Sequence, residues 1–496
     1  MSSTFFGLEL SRRALESQQA ALDVTGHNIS NANTQGYTRQ IANLTATTPY
    51  TIPAMGRNLS LGSGVTLDTI TRARDKFVDL QFRSETSKQQ YWASKQDSLT
   101  KVEDIVNEPS DNSLSNDMNQ FWTAWSDLSK DPTNAGARSV LKERALTLTD
   151  SLHAISTQIS DKQNDLNSQV NVQISQINVY ANQIKDLNDQ IKRSEVVGDN
   201  PNDLRDSRDN LVDELSKIVS VKVTETPDPN FTDRQVNSFQ VDIGDPPQTL
   251  VDDGVASQLE GVPTPLPNTG IGGNIITAVQ WKDGNNKHSA GDSLVLDPNL
   301  NLGTLQANID IRDTFLTALQ VKYDDLAKGI VTAVNDIHQS GTDTTATFFD
   351  SANLTASTIS LSTLIAEPDG NINNIVTGLT DAAGDGSIAT AISSLSQGWS
   401  GLTDTSLTSM GSSLGDYYGA TVAQLGVDVQ QANRMKAGED VLVTNVTNQR
   451  ESNSGVSLDE EMTNLIKFQK SYSAAARMVT MMDDMLSTIM NMGITK

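Results

Sequence analysis

The sequence predicts a fold of mixed α and β class, multidomain: a long, coiled-coil-like helical bundle formed by the N- and C-terminal regions, plus a β-rich middle domain. Three observations carry this reading. Apolar stripes at heptad spacing occupy both ends of the 496-residue chain. No Gly or Pro interrupts 137–197, a stretch that as one helix would run roughly 90 Å. Between about 221 and 303 the helical period gives way to alternation, with Pro and Gly clustered at 244–247 and 261–273.

Taken in order, the first element is a helix with Leu8, Leu15, Leu22 and Ile29 every seven residues, a stripe that wants a partner helix. The run Gly26-His27-Asn28-Ile29-Ser30-Asn31-Ala32-Asn33-Thr34-Gln35-Gly36-Tyr37 should end it in a defined turn, since Asn and Gly tolerate left-handed backbone. Residues 37–70 read as extended. Helices return near Arg72, with Trp92, Leu99, Val102 and Val106 on one face and Leu114, Met118, Phe121, Trp122 and Trp125 on another. Leu141 to Ile159 and Val170 to Ile191 keep a 3–4 spacing, with a stutter through 166–174. Gly198-Asp199-Asn200-Pro201 closes this rod, and Leu204, Leu211, Leu215 and Ile218 mark the return. Residues 304–338 are helical again, 341–415 read as strands or loops, and a last helical region starts near Tyr418. Its clearest part is Leu465, Phe468, Tyr472, Ala475, Val479, Met482, Leu486 and Ile489, with no Gly or Pro from Val456 to Met492.

Charge narrows the function class. The net charge is −25, which argues against nucleic acid as a partner. It is uneven: 1–90 hold nine Lys/Arg against seven Asp/Glu, whereas 221–420 hold seven against 24. The near-neutral start can pack against copies of itself, and the acidic middle suits a solvated exterior. There is no cysteine, so no disulfide and no thiolate metal site. No run of 18 apolar residues spans a membrane, so no membrane partner is expected.

Catalytic chemistry finds no support. His27, His153, His288 and His338 lie far apart and share no metal spacing, and the two within helical segments, His153 and His338, read as packing or surface residues. Gly270-Ile271-Gly272-Gly273 and Gly62-Ser63-Gly64 lack the strand–helix context of a phosphate loop, and 381–385 lacks the order of a calcium loop. No catalytic residue, cofactor or metal is assigned.

Leu15-x-x-Gln18-x-x-Ala21-Leu22-x-x-Thr25-Gly26-x-Asn28-Ile29-x-Asn31-x-Asn33-Thr34-x-Gly36-Tyr37 resembles the signature of the bacterial flagellar rod, hook and hook-associated proteins. His27 and Ser30 stand where many relatives carry Asn and Ala. Gly64-Val65-x-Leu67-x-x-Ile70-x-Arg72-x-x-Asp75-x-Phe77-x-x-x-Gln81 resembles the next block of the hook-associated branch. The block from Asn202 to Ser216 is similar to the hook–filament junction member of that branch and is not expected in rod or hook subunits. Ala333 to His338 with Gly341, and Gly455-Val456-x-Leu458-Asp459-Glu460-Glu461-Met462-x-Asn464-Leu465-Ile466, extend the match. Nothing in 222–300 or 345–415 is familiar.

The resemblance implies a structural subunit exported by the flagellar type III apparatus. It would form a homo-oligomeric ring at the hook tip, touching hook protein, the third hook-associated protein and its own copies, with an export chaperone on its C-terminal region. The alternatives are another axial subunit, of hook or distal rod, or a secreted protein with a binding or enzymatic module in 221–420. The expected division is 1–70 with 440–496 as a terminal assembly domain, 71–220 with 304–340 and 416–439 as a long-helix bundle, and 221–303 with 341–415 as a β-rich outer domain. The candidate assembly interface is Leu8, Leu15, Leu22, Ile29, Asn31, Asn33, Gly36, Tyr37, Leu465, Phe468, Tyr472, Val479, Met482, Leu486 and Ile489. The two terminal stripes should pair, with neighbouring copies completing them, and both ends should be mobile in the free monomer. The start lacks a basic stretch and apolar core, so the export address is expected to stay uncleaved. Mass spectrometry of the secreted protein should find Met1 or Ser2 first; a start some twenty residues later would refute this.

Overall fold

A computed structural model describes residues 5–54, 57–231, 236–244, 246–265, 275–282, 288–296, 303–366, 370–398 and 412–492. The chain forms two compact units: Met1–Thr86, Ile177–Gln258 and Asp440–Lys496 in one, Ser87–Gln176 and Leu259–Glu439 in the other.

In the first unit, helix α1 (Phe6–Ser30) is followed by strands β1 (Gln40–Ala46), β2 (Tyr50–Ala54), β3 (Arg57–Leu61) and β4 (Val65–Arg72). β1 pairs antiparallel with β4 and β2 with β3, so the stretch read as extended is two paired ribbons. Gly64, at φ +112°, turns the chain into β4 where a Cβ would press on Leu10 Cδ1 at 2.9 Å. The same unit holds helix α5 (Asn202–Ile218) and a four-stranded antiparallel meander. Its strands are β5 (Val221–Pro227), β6 (Asn237–Ile243), β7 (Gln248–Asp252) and β8 (Val255–Ala256). Phe239, Val241, Ile243, Leu250 and Val251 are its buried positions.

Three long helices belong in part to each unit: α2 (Lys76–Val106), α4 (Ala135–Val196) and α9 (Leu414–Ser454). The second unit adds α3 (Leu114–Lys130), β9 (Leu259–Pro265) paired antiparallel with β10 (Ile275–Trp281), and α6 (Gly303–Ile309). A π-turn at Asp310–Phe315 follows, then α7 (Leu316–His338) and α8 (Ser387–Ser394). The helix α9 (Leu414–Ser454) runs on toward α10 (Leu458–Met492), the last element of the first unit.

The second unit's core gathers the stripes expected from the sequence. Leu99, Val102, Phe121, Trp125, Leu141, Leu148, Leu152, Ile155 and Ile159 are buried in one cluster with Leu319, Tyr323, Leu326, Ile330 and Val334 of α7. Gln320 Nε2 donates to Ser156 Oγ at 2.9 Å, tying α7 to α4. The π-turn interrupts what reads as one helix. There the buried Arg312 reaches Asn167 Oδ1 at 2.9 Å, and its carbonyl accepts from Gln163 Nε2 at 3.2 Å. The extra residue per turn lets a buried guanidinium and a main-chain carbonyl both find partners.

Three expectations are corrected. Among the described residues of 341–415 there is no strand; the regular structure is a bridge between Phe349 and Leu361, a 3-10 turn at Ile372–Asn374, the short helix α8 and the first residues of α9. Apolar residues there, among them Phe348, Phe349, Ile359 and Ile388, join the helical core, so this segment packs and does not form a sheet. The strands of 221–281 are shared out, β5 to β8 in the first unit and β9 with β10 in the second. On α5 the Leu204 and Leu211 side chains are only half-buried, and the buried positions combine Val212, Leu215 and Ile218 with polar side chains. The stretch at 270–273 lies outside the described residues.

His338 is buried and held as the neutral imidazole: its Nδ1 lies 2.8 Å from the Ala346 carbonyl and its Nε2 accepts from Val376 N–H at 2.9 Å. Burial pushes its pKa below the ordinary histidine value. As pH falls below about 6.5 the unfolded chain takes up the proton first, so this contribution to stability drops until the folded-state pKa is passed. Urea unfolding of wild type and H338Q should therefore differ most at neutral pH, the gap narrowing as pH falls below about 6.5; a pH-independent gap would contradict it. Leu152→Ala should cost about 2–5 kcal/mol, as for a fully packed leucine; a loss under about 0.5 kcal/mol would mean an exposed stripe.

Candidate assembly interface

The two ends of the chain pair. Gly7 faces Met482, whose Cε lies 2.5 Å from where a Cβ would stand, and Asn28 Nδ2 donates to Glu461 Oε2 at 3.0 Å. Between these contacts each helix advances 21 residues in opposite directions, so α1 and α10 run antiparallel in a three-heptad register. Leu8, Leu15, Leu22 and Ile29 are half-buried, as are Leu465, Phe468, Val479, Met482 and Leu486. Tyr472 and Ile489 are exposed. The fully buried positions of α1 are instead Ser11, Ser17, Ala21, Thr25 and Asn28. Ser11 and Thr25 turn their hydroxyls onto Gly7 O and Ala21 O of their own helix, which removes the cost of burying them. Ser17 Oγ donates to Val65 O of β4 at 3.3 Å.

The turn after α1 is built by its asparagines. Asn31 closes the helix, its N–H and its Nδ2 both reaching His27 O, and its Oδ1 accepts from Thr34 Oγ1. Asn33 is exposed. Tyr37 Oη donates to Asn28 Oδ1 at 2.7 Å and lies 2.9 Å from His27 Nδ1. Burial, with Asp203, Asp206 and Glu461 nearby, pushes the phenol well above its usual range. Gly36 has φ +75°, and a Cβ there would run into the Asn210 side chain, so two constraints select glycine. The turn then clamps α10: Arg39 Nε donates to the buried Glu461 Oε1 at 2.8 Å, Arg39 Nη1 reaches Glu460 at 2.9 Å, and Arg39 N–H donates to Ser454 O.

Beneath the turn lies a charged hub that the apolar pattern conceals. Asn202, Asp206, Asp209, Asp213 and Ser216 recur in steps of four and three along α5, and all are buried. Asn202 Nδ2 donates to Ile70 O. Asp206 accepts Thr38 N–H at 2.9 Å and Arg72 Nη1 at 2.7 Å. Asp209 takes Arg72 Nη1 at 2.8 Å and Arg74 at 3.1 Å. Asp213 takes Arg83 Nε at 2.7 Å and Arg450 Nη2 at 2.6 Å, and Arg450 also meets Asp79 at 3.0 Å. Burial alone would raise the Asp209 carboxyl, but Arg74, Arg72, Arg83 and Arg208 hold it well below the carboxylate range. Arg208 stacks on Phe239 at 3.5 Å and donates to Asn188 Oδ1, and burial pulls its pKa down to about 10.

Tyr37 and Gly36, named as candidates from the sequence, lie in this constellation beside Asn28, Arg39, Glu461 and the α5 carboxylates, which the sequence reading left out as site residues. Their signal was present: an acidic stripe at heptad spacing matched by Arg72, Arg74 and Arg83. Among the described residues no group of three or more His, Cys, Asp or Glu is placed to hold a metal, and no helix is long and apolar enough to cross a membrane. Asp213→Ala would take the closest carboxylate from both Arg83 and Arg450, leaving them Asp209 at 3.6 Å and Asp79 at 3.0 Å, an expected loss of about 3 kcal/mol, the low end for breaking a buried pair. Hydrogen exchange across 202–218 measures it; a loss below about 1 kcal/mol would mean that solvent screens these pairs.

Comparison with known proteins follows the same segments. The family model described as the helical domain of flagellar hook-associated protein FlgK matches 99–349. It runs through 222–300, where the sequence alone offered nothing familiar. Models for the flagella basal body rod protein and for the C-terminal part of the flagellar basal body rod FlgEFG proteins match 8–38 and 448–492, the two paired ends. Flagellar hook-associated protein 1 of Bacillus subtilis (strain 168) is 33% identical over 519 aligned residues, covering 100% of this chain and 99% of that one. The Escherichia coli (strain K12) protein of the same name is 27% identical, covering 96% and 98%. The solved flagellar hook junction protein FlgK from Burkholderia pseudomallei shares the fold, with TM-score 0.59 at 15% identity over 76% of this chain and 100% of that one. The chain belongs to the flagellar hook-associated protein 1 family.

Proposed function

We propose that this protein is a structural, non-enzymatic subunit of the bacterial flagellum that forms a ring at the junction of hook and filament and is required for filament assembly. It would leave the cell by the flagellar export route, held beforehand by a chaperone on its C-terminal region. In place it would touch hook protein, the third hook-associated protein and its own copies. One observation carries the reading. Within a single chain α10 has α1 along one face, while Met481, Met485 and Ile489 remain 50%, 49% and 57% exposed beside it. An apolar, methionine-rich face of that kind suits burial against neighbouring copies. The residues from Leu8 to Tyr37 and from Leu465 to Ile489 are accordingly the proposed assembly surface, and 1–70 with 440–496 the proposed assembly domain.

The family assignment, whose helical-domain match crosses 221–300, favours this over a grafted module in 221–420 and over a hook or distal-rod subunit. A strain lacking the protein should make hooks yet shed flagellin into the medium, and normal filaments in that strain would overturn the proposal. Val479→Asp should leave the melting temperature of the free chain within about 2 °C, because a half-buried position adds little to global stability. It should still block filament growth, since assembly would bury an unpaired carboxylate. Hydrogen exchange on the monomer tests whether both ends are mobile before assembly: strong protection of 465–489 would refute that part.

A further inference from the structure

Beside the hub the first unit encloses a cavity of about 550 Å³, reached between the first turns of α2, the start of α5 and the strands β5 and β6. In a chain of net charge −25 its lining is unusual, with six cationic side chains and three carboxylates. All six cations are already paired with carboxylates, Arg72, Arg74 and Arg83 with those of the hub, Lys76 and Arg208 with Glu225 and Arg205 with Glu195, so the excess by itself decides nothing. What decides is the donors the protein leaves over. Among the described residues Arg72 spends only Nη1, on Asp206 and Asp209, which leaves its Nε and Nη2 as a free guanidinium edge. Among the described residues Arg205 spends only Nη2, on Glu195; its Nη1 has no partner there and its Nε is buried without one. Both side chains line the cavity and are partly open to it, at 14% and 17% exposure. Phe239, Leu80 and Val223 supply an apolar wall.

The free edge of Arg72 and the Nη1 of Arg205, on a recess partly walled by apolar side chains, form a receptor for an oxyanion: the Arg72 fork matches two oxygens at once, Arg205 adds a further donor, and the wall weakens competition from water. We propose that this cavity binds a small multivalent oxyanion, phosphate or a polycarboxylate, through Arg72 and Arg205. Occupancy would supply acceptors for donors that folding leaves without them and would add stability to the first unit by mass action.

The test uses the full chain, titrated calorimetrically with inorganic phosphate and separately with citrate at constant ionic strength, with melting temperature as a second readout. Saturable binding tighter than about 1 mM is expected for at least one of the two, with a matching rise in melting temperature. Arg72→Lys keeps a cation for Asp206 and Asp209 but removes the free edge, and should weaken binding at least about tenfold. Leu80→Trp fills the mouth without changing charge and should do the same, whereas Arg144→Lys, at an exposed position in the other unit, should bind as wild type. Binding of phosphate alone assigns a tetrahedral ligand, of citrate alone a carboxylate. No saturable binding of either anion, or equal affinity in all three variants, overturns the proposal.

Discussion

Three carboxylates buried on one face of α5 are the constraint on which the rest of the first unit depends. Asp206, Asp209 and Asp213 can be buried only because arginines reach them from segments far away in sequence, at 72–83 and at 450, together with the Thr38 amide. A buried ion pair seldom adds much net stability, because desolvation cancels most of the attraction, but removing one partner is costly. Such a network therefore selects one arrangement of chain segments more than it strengthens the fold. Here it specifies where β4, the start of α2 and the end of α9 must meet α5, and every member must be present at once.

The terminal helices are governed from the opposite direction. Their seam is short of apolar burial: α1 buries serine, threonine and alanine, and its leucines remain half-exposed. Two helices paired this way gain little against the entropy of ordering them. The pairing is anchored at one end by specific polar contacts, in which Asn28, Tyr37, Arg39 and Glu461 form a continuous chain from α1 through the turn to the start of α10. A helix pair held firmly at its base and left with an unsatisfied apolar face is well suited to completion by other subunits.

The second unit follows ordinary core physics. Its helices bring regular stripes together with an aromatic group of Phe121, Trp125, Phe348 and Phe349, into which His338 fits as a neutral, doubly hydrogen-bonded ring. The loop-rich stretch after α7 contributes to that core because its short apolar runs have a packed helical surface to land on. Where a polar side chain is buried, as with Arg312, the backbone adjusts by a π-turn.

Period and composition were enough to determine the helices, their apolar faces, the turn after α1, the mixed fold class and, through long motifs, the family. Those features are local: a 3–4 stripe, an absence of Gly and Pro or an Asn-Gly run acts within a few turns of its own chain. The tertiary structure alone decided which polar residues are buried. The sequence does not mark Asp206, Asp209 and Asp213 as interior, because a carboxylate is an interior residue only if a partner arrives, and the partners lie over a hundred residues away. It likewise decided that 341–398 joins a helical core without forming a sheet, since short apolar runs take whichever surface is presented to them, and no single segment encodes that surface.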